Sequence, residues 1–117
     1  MKNARIVEFG NSDKYGLLLK RFDSMGEDFA KEIVIKSKKI TIQVTYPLST
    51  EYEFVMESDN GFSREELYKG VFDAYQEVYK DADTENSYGI WGHSIGDLVL
   101  VNMTEIKKNV FGLGVDS

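Results

Sequence analysis

The sequence predicts an α+β domain, in which a mainly antiparallel sheet of about five to seven strands packs against one long amphipathic helix. One segment, residues 63–82, carries consistent helix signals, and short alternating segments typical of half-buried strands lie on both sides of it. The predicted chain order is therefore strands, helix, strands. We interpret residues 1–117 as a single domain, because no linker, repeat or low-complexity run divides them.

The predicted helix begins with a capping box. Ser63 is a good N-cap residue, and Glu66 stands at the position from which its carboxylate reaches back to the first turn. Gly70 lies inside the helix, where glycine costs about 1 kcal/mol against alanine, so we expect a sheet to approach closely there. The apolar stripe that predicts one buried side consists of Leu67, Val71, Phe72, Tyr75, Val78 and Tyr79.

Several strand candidates precede the helix. Residues 40–46 and 52–57 both alternate apolar with polar side chains, which predicts a β-hairpin with one buried face. Residues 6–9 and 15–22 are interpreted as a strand and its returning partner. Conflicting signals in residues 23–31 indicate a loop or one helical turn.

Beyond the helix, residues 81–87 are predicted to be an acidic loop. Residues 98–101 are continuously apolar, which is typical of a central strand covered on both faces. In residues 111–115, Gly112 and Gly114 alternate with apolar residues and leave one face bare, so we expect another backbone or a bulky aromatic side chain against them. A two-sheet or half-barrel arrangement around the helix is the alternative architecture.

Composition restricts the classes of function. With 20 acidic and 14 basic residues, the net charge is -6, which argues against nucleic acid and anionic membranes as partners but is compatible with a basic protein. The absence of cysteine excludes disulfides and thiolate chemistry. No signal-peptide core or membrane-spanning stretch is apparent, so we expect a cytoplasmic protein. We also expect neither a cofactor nor a metal.

The string Gly92-His93-Ser94-Ile95-Gly96 resembles the nucleophile elbow of lipases and esterases of the α/β-hydrolase family. That family requires a helix after the serine and a catalytic histidine later in the chain. Here residues 97–103 have the pattern of a strand, and His93 is the only histidine. The sequence therefore does not predict a serine hydrolase.

The same region contains the candidate site residues. His93 and Asp97 would form an acid/base couple, or they would satisfy backbone groups in a glycine-rich turn. Trp91 and Tyr88 would anchor a partner or line a cleft, although Trp91 would serve equally as a cap on the core. One histidine is too few for a metal site, and no catalytic set is predicted.

Two functional hypotheses follow from the sequence. The first is a small acidic cytoplasmic protein-binding module, of which an inhibitor or immunity-type protein that neutralises a basic partner is one form. The alternative is a small enzyme or ligand-binding domain that uses His93 and Asp97 beside Tyr88 and Trp91. The first hypothesis is favoured, because charge and size support it and no catalytic motif supports the second. Neither indicates an oligomeric state.

Overall fold

The computed structural model describes residues 5–11, 14–46, 48, 51–85 and 95–116, with residues 81–85 described by their backbone alone. The architecture is α+β, as predicted, with strands before and after one long helix. In chain order the elements are β1 (Ile6–Glu8), β2 (Leu17–Leu18), α1 (Glu27–Lys31), β3 (Ile33–Ile35), β4 (Lys39–Val44), β5 (Tyr52–Glu57), β6 (Phe62–Ser63), α2 (Arg64–Glu85), a short 3₁₀ helix (Ile95–Asp97), β7 (Val99–Lys107) and β8 (Val110–Asp116).

Six strands form one mixed, mostly antiparallel sheet. Its order is β1-β7-β8-β4-β5, and β2 pairs with β7 on the same edge as β1. Every pairing in it is antiparallel except that between β4 and β8, which is parallel. The short strands β3 and β6 form a separate antiparallel pair. The prediction of a mainly antiparallel sheet is therefore confirmed.

The predicted hairpin is formed by β4 and β5. Its register places Ile40 opposite Met56 and Val44 opposite Tyr52, so the alternating apolar residues of both strands share one face. On β4 these side chains are fully buried, whereas Tyr52, Phe54 and Met56 on β5 are half-buried because β5 is the last strand of the sheet. This face contributes to the hydrophobic core.

Helix α2 begins with the predicted capping box. The Ser63 N–H donates to Glu66 Oε1 at 2.9 Å, and the Glu66 N–H donates to Ser63 Oγ at 3.1 Å. The approach of a sheet at Gly70 is also confirmed, because a Cβ atom there would lie 2.6 Å from Met56 Sδ. The buried helix residues are Ser63 and Arg64 at its start and then Leu67, Tyr68, Val71, Ala74, Tyr75 and Val78.

The end of α2 differs from the prediction. The helix runs to Glu85, so residues 81–85 are helical and the prediction of an acidic loop from residue 81 is wrong. The segment 81–85 contains neither glycine nor proline. Acidic side chains weaken a helix C-terminus through the helix dipole, but they do not remove a backbone hydrogen bond.

The prediction of a strand over residues 15–22 is wrong in length and in partner. Only Leu17 and Leu18 form a strand, and they pair with β7 instead of β1. The strand ends because residues 19–22 form a turn, in which the Leu18 N–H donates to Asp23 Oδ2 at 3.2 Å. The Tyr68 hydroxyl donates to the Leu18 carbonyl oxygen at 2.6 Å, on the side away from β7. Within residues 23–31 the structure forms a short helix, in agreement with the predicted single helical turn.

Residues 99–101 lie in the longer strand β7, which Leu98 directly precedes. The strand is central because β8 borders one edge and β1 and β2 border the other. Leu98 and Leu100 are fully buried, but Val99 and Val101 are only partly buried. The prediction of cover on both faces is therefore wrong for the described structure. No helix among the described residues has both the length and the apolar character needed to span a membrane.

Candidate functional site

The six-stranded sheet presents two different faces. The face toward the core carries residues that are almost completely buried, such as Val7, Ile42, Met103 and Phe111. On the opposite face, which we call the outer face, the register aligns Ile6, Thr104, Gly112, Gln43 and Glu53 in one row across β1, β7, β8, β4 and β5.

Three aliphatic side chains of the outer face are exposed to solvent. Ile6 on β1 is 57% exposed, Val55 on β5 is 53% exposed and Ile106 on β7 is 60% exposed. Each is more than half exposed, so no described helix packs over these three side chains. They lie on three different strands of one open sheet face.

Gly112 and Gly114 create a depression in this face. It has a volume of about 280 Å³ and is also bordered by Gln43, Asn102 and Ile106. A Cβ atom on Gly112 would lie 2.9 Å from Ile106 Cδ1, and one on Gly114 would contact the Asn102 amide. The expectation of a backbone or a bulky aromatic against these glycines is therefore wrong, because an aliphatic and an amide side chain lie there.

A second depression, of about 210 Å³, continues the first toward the end of β8. It shares Asn102 and Gly114 with the first depression and is also lined by Tyr15 and Asp116. The Tyr15 hydroxyl donates to Asp116 Oδ2 at 2.8 Å, and this hydrogen bond, together with the charge of Asp116, raises the pKa of Tyr15. The bond holds an aromatic ring that is 67% exposed at the margin of the outer face.

The charge of the outer face is predominantly negative. By strand register, its described positions carry four carboxylates, from Glu8, Glu53, Glu57 and Asp116, against the two ammonium groups of Lys39 and Lys107. Lys39 and Glu57 are 3.7 Å apart and about 70% exposed, so this ion pair is weak in water. Glu53 accepts a hydrogen bond from the neutral Gln43 amide at 2.8 Å and forms no ion pair with another described residue.

The site residues predicted from sequence lie elsewhere. Tyr88, Trp91 and His93 fall outside the described residues, so the pairing of His93 with Asp97 stays a hypothesis. Asp97 is exposed at the end of the 3₁₀ helix. The pKa of Tyr79 on α2 is raised to about 12, mainly by burial. The charges of Asp97 and Tyr46 also raise it.

Tyr79 lies close to two other tyrosines, Tyr75 and Tyr46. The Tyr75 hydroxyl donates to the Tyr46 carbonyl oxygen at 2.6 Å, and burial raises the pKa of Tyr75 further than that of Tyr79. Tyr75 is fully buried and Tyr79 is partly buried against the core, which confirms their predicted role in helix packing. Asp97 therefore borders a structural tyrosine cluster.

No metal centre is apparent in the part of the chain that the structure describes, because it contains no cluster of three or more acidic, histidine or cysteine side chains. Buried side-chain nitrogen and oxygen atoms in the same part of the chain all have hydrogen-bond partners. Such satisfied groups stabilise a core and do not indicate a ligand.

Comparison with known proteins gave no relative. No protein-family model matches the chain, and neither the curated proteins nor the solved structures contain a match. Function is therefore argued from the geometry of this chain.

The outer face was missed as a site by the sequence reasoning. The exposed positions of Ile6, Val55 and Ile106 are scattered over the chain, and they share a face only because β1, β5 and β7 belong to one sheet. Gly112 and Gly114 were the available signal, since two alternating glycines predicted a bare sheet face.

Proposed function

We propose that this chain is a protein-binding module, and that the outer face of its sheet is the interface. The observation that carries the proposal is the depression at Gly112 and Gly114, bordered by exposed Ile106, on a sheet face that also exposes Ile6 and Val55. In this proposal a partner protein covers the depression and these aliphatic side chains together, as the apolar part of an interface. A shallow polar-edged depression also suits a protein surface better than it suits a small molecule, which prefers an enclosed apolar pocket.

Charge supports a basic partner. The outer face carries more carboxylates than ammonium groups, and the whole chain has a net charge of -6. A partner with clustered lysine and arginine would be attracted over a distance of about one Debye length, roughly 8 Å at physiological salt. An inhibitor or immunity-type protein of the cytoplasm, which neutralises a basic target, is the form of this function that we favour.

The test compares two matched isoleucine substitutions. Ile106→Lys places a charge in the outer face, whereas Ile33→Lys places the same charge on β3, at an isoleucine that is 45% exposed and lies outside the six-stranded sheet. Each variant is immobilised and used to capture proteins from a lysate of the source cells. The dissociation constant of each captured protein, once purified, is then measured at low and high salt.

We expect a basic protein that the parent chain and Ile33→Lys bind alike and that Ile106→Lys binds at least roughly tenfold more weakly, as for a residue at the centre of an interface. Raising the salt concentration should weaken the complex. The proposal is contradicted if binding to every captured protein survives Ile106→Lys. It is equally contradicted if the protein that depends on Ile106 is acidic.

A further inference from the structure

Strand β5 has a free edge whose backbone direction can be deduced. The Thr41 N–H donates to the Asn109 carbonyl oxygen at 2.9 Å, so the backbone N–H and C=O groups of the odd-numbered residues of β4 point toward β8. The even-numbered residues of β4 therefore make the hydrogen bonds to β5, through the pairs Ile40–Met56, Ile42–Phe54 and Val44–Tyr52. The Ser58 N–H, which donates to the Lys38 carbonyl oxygen at 2.8 Å, continues this even series.

In the other three residues of β5, the backbone N–H and C=O groups point away from β4. By the alternation of an antiparallel ladder, the N–H and C=O groups of Glu53, Val55 and Glu57 lie on the edge opposite β4. Within the described ranges, β5 is the terminal strand and no other strand pairs with this edge. All three residues are exposed, so this edge presents a row of backbone groups to solvent.

The side chains of these residues form an alternating pattern on the outer face, in which Glu53, Val55 and Glu57 supply a negative, an apolar and a negative group. Among the residues that the structure describes, Glu53 accepts a hydrogen bond from a neutral amide, and Glu57 makes a weak, exposed contact with Lys39. A strand added at this edge would place its own side chains directly opposite these three. The complementary sequence has cationic residues flanking an apolar one.

A second copy of the chain does not fit this edge. Antiparallel pairing of two β5 strands about Val55 would place Glu53 of each copy opposite Glu57 of the other. Like charges directly opposite one another destabilise a sheet, and charged residues on edge strands are a common protection against self-association. The pattern therefore disfavours a homodimer and favours a basic segment.

We propose that the free edge of β5 binds an extended segment of a basic protein as an added, seventh strand. Lysine or arginine side chains of that segment face Glu53 and Glu57, an apolar side chain faces Val55, and its backbone bonds to the outward N–H and C=O groups of the same three residues. This inference rests on the proposed function and specifies its binding mode, which is β-strand addition.

A defined peptide tests the edge without knowledge of the natural partner. The probe is the capped peptide Thr-Lys-Thr-Val-Thr-Lys-Thr, and the control is the same peptide with both lysines replaced by glutamate. Each is titrated into the isotope-labelled full chain, with backbone amide shifts and hydrogen exchange followed by NMR. We expect the basic peptide to shift the amides of β5 and to slow exchange at Glu53, Val55 and Glu57, and the acidic peptide to bind at least tenfold more weakly. The double variant Glu53→Lys, Glu57→Lys should reverse this preference.

Val55→Pro separates backbone pairing from simple charge attraction. Proline removes the outward N–H of residue 55 but none of the hydrogen bonds to β4, and proline is tolerated on edge strands for that reason. Peptide binding should be lost in Val55→Pro and kept in Val55→Thr, which retains the N–H and the β-branched shape. Amide spectra of the rest of the sheet verify the fold, and the charge-reversal variant provides an independent arm if Val55→Pro does not fold.

Two results would overturn the inference. One is the absence of any binding by the basic peptide at millimolar concentration. The other is binding that shifts Ile106, Gly112 and Gly114 and is unchanged in Val55→Pro, because the peptide would then lie on the face and not on the edge. Failure of the proposed function is detected separately, since the Ile106→Lys capture experiment does not involve the N–H of Val55.

Discussion

At the scale of single residues, Gly61 determines how the chain enters α2. Its φ angle of +82° is in the left-handed region, which residues with a Cβ atom adopt only at a cost. A Cβ atom at Gly61 would also lie 2.6 Å from the Ile35 carbonyl oxygen. Asp59 and Asn60 form a turn that leads through Gly61 into the capping box.

We predict that Gly61→Ala lowers the free energy of unfolding by at least about 1–2 kcal/mol, which is the usual cost of a left-handed residue with a side chain. The matched control is Gly26→Ala, because Gly26 has a φ of -55° and nothing within 4 Å of a Cβ atom placed on it. That control should reduce stability less than Gly61→Ala does, because it changes only the N-cap residue of the short helix α1. Urea unfolding of both variants measures the difference, and equal effects would contradict this account of the turn.

The residues that sequence predicts well are those whose partners are close in the chain. Ser63 and Glu66 are three residues apart, so their reciprocal hydrogen bonds follow from the sequence pattern alone. The neighbours of Gly112 and Gly114 could not be predicted, because Asn102 and Ile106 reach them through the register of β7 on β8, with its two irregularities.

At the scale of elements, α2 and β4 are joined by tyrosines near the end of the sheet. The packing of Tyr75 and Tyr79 against the core could be predicted from the sequence, because both continue the apolar stripe of the helix. The hydrogen bond from the Tyr75 hydroxyl to the Tyr46 carbonyl oxygen could not be predicted from the sequence, since it joins residues 29 positions apart. It requires the neutral phenol, so ionisation of Tyr75 is opposed by the fold.

We predict that stability is lost when the pH rises from about 10 toward 12. The pKa of Tyr79 is raised from 10.0 to about 12, and that of Tyr75 is raised further. In this range the folded chain therefore keeps protons that the unfolded chain releases, so rising pH favours unfolding, and the stabilisation is fully present below pH 10. Ultraviolet absorbance of tyrosinate and circular dichroism, followed together, should show these two tyrosines ionising only as the fold is lost.

The control for this prediction is Tyr79→Phe, which removes one of the two tyrosines whose pKa values are raised most. Alkaline unfolding of that variant should depend less steeply on pH. Ionisation of all seven tyrosines near pH 10 with an intact circular dichroism spectrum would contradict the assignment.

The lengths of elements depended on contacts that the sequence pattern does not encode. The strand predicted over residues 15–22 is limited to Leu17 and Leu18, because residues 19–22 form a turn closed by the hydrogen bond from the Leu18 N–H to Asp23. Likewise the acidic composition of residues 81–85 indicated a loop, but this segment contains no glycine or proline that would end the helix.

At the scale of the whole molecule, the fold class followed from alternation and from one clear helix, but the order of strands did not. The parallel pairing of β4 with β8 joins residues about 70 positions apart in the chain and places the last strand in the middle of the sheet. That placement leaves β5 at an edge, and the outer face is formed by five strands, β1, β7, β8, β4 and β5. A site of this kind has no local motif.

The central claim is that β5 offers an open, unpaired edge beside the outer face, and amide hydrogen exchange of the isolated protein tests it most directly. We predict alternating protection, with slow exchange at Tyr52, Phe54 and Met56, which bond to β4, and fast exchange at Glu53, Val55 and Glu57. The pattern should not change with protein concentration. Uniform protection of all six amides would show that the edge is already covered, and would contradict the account.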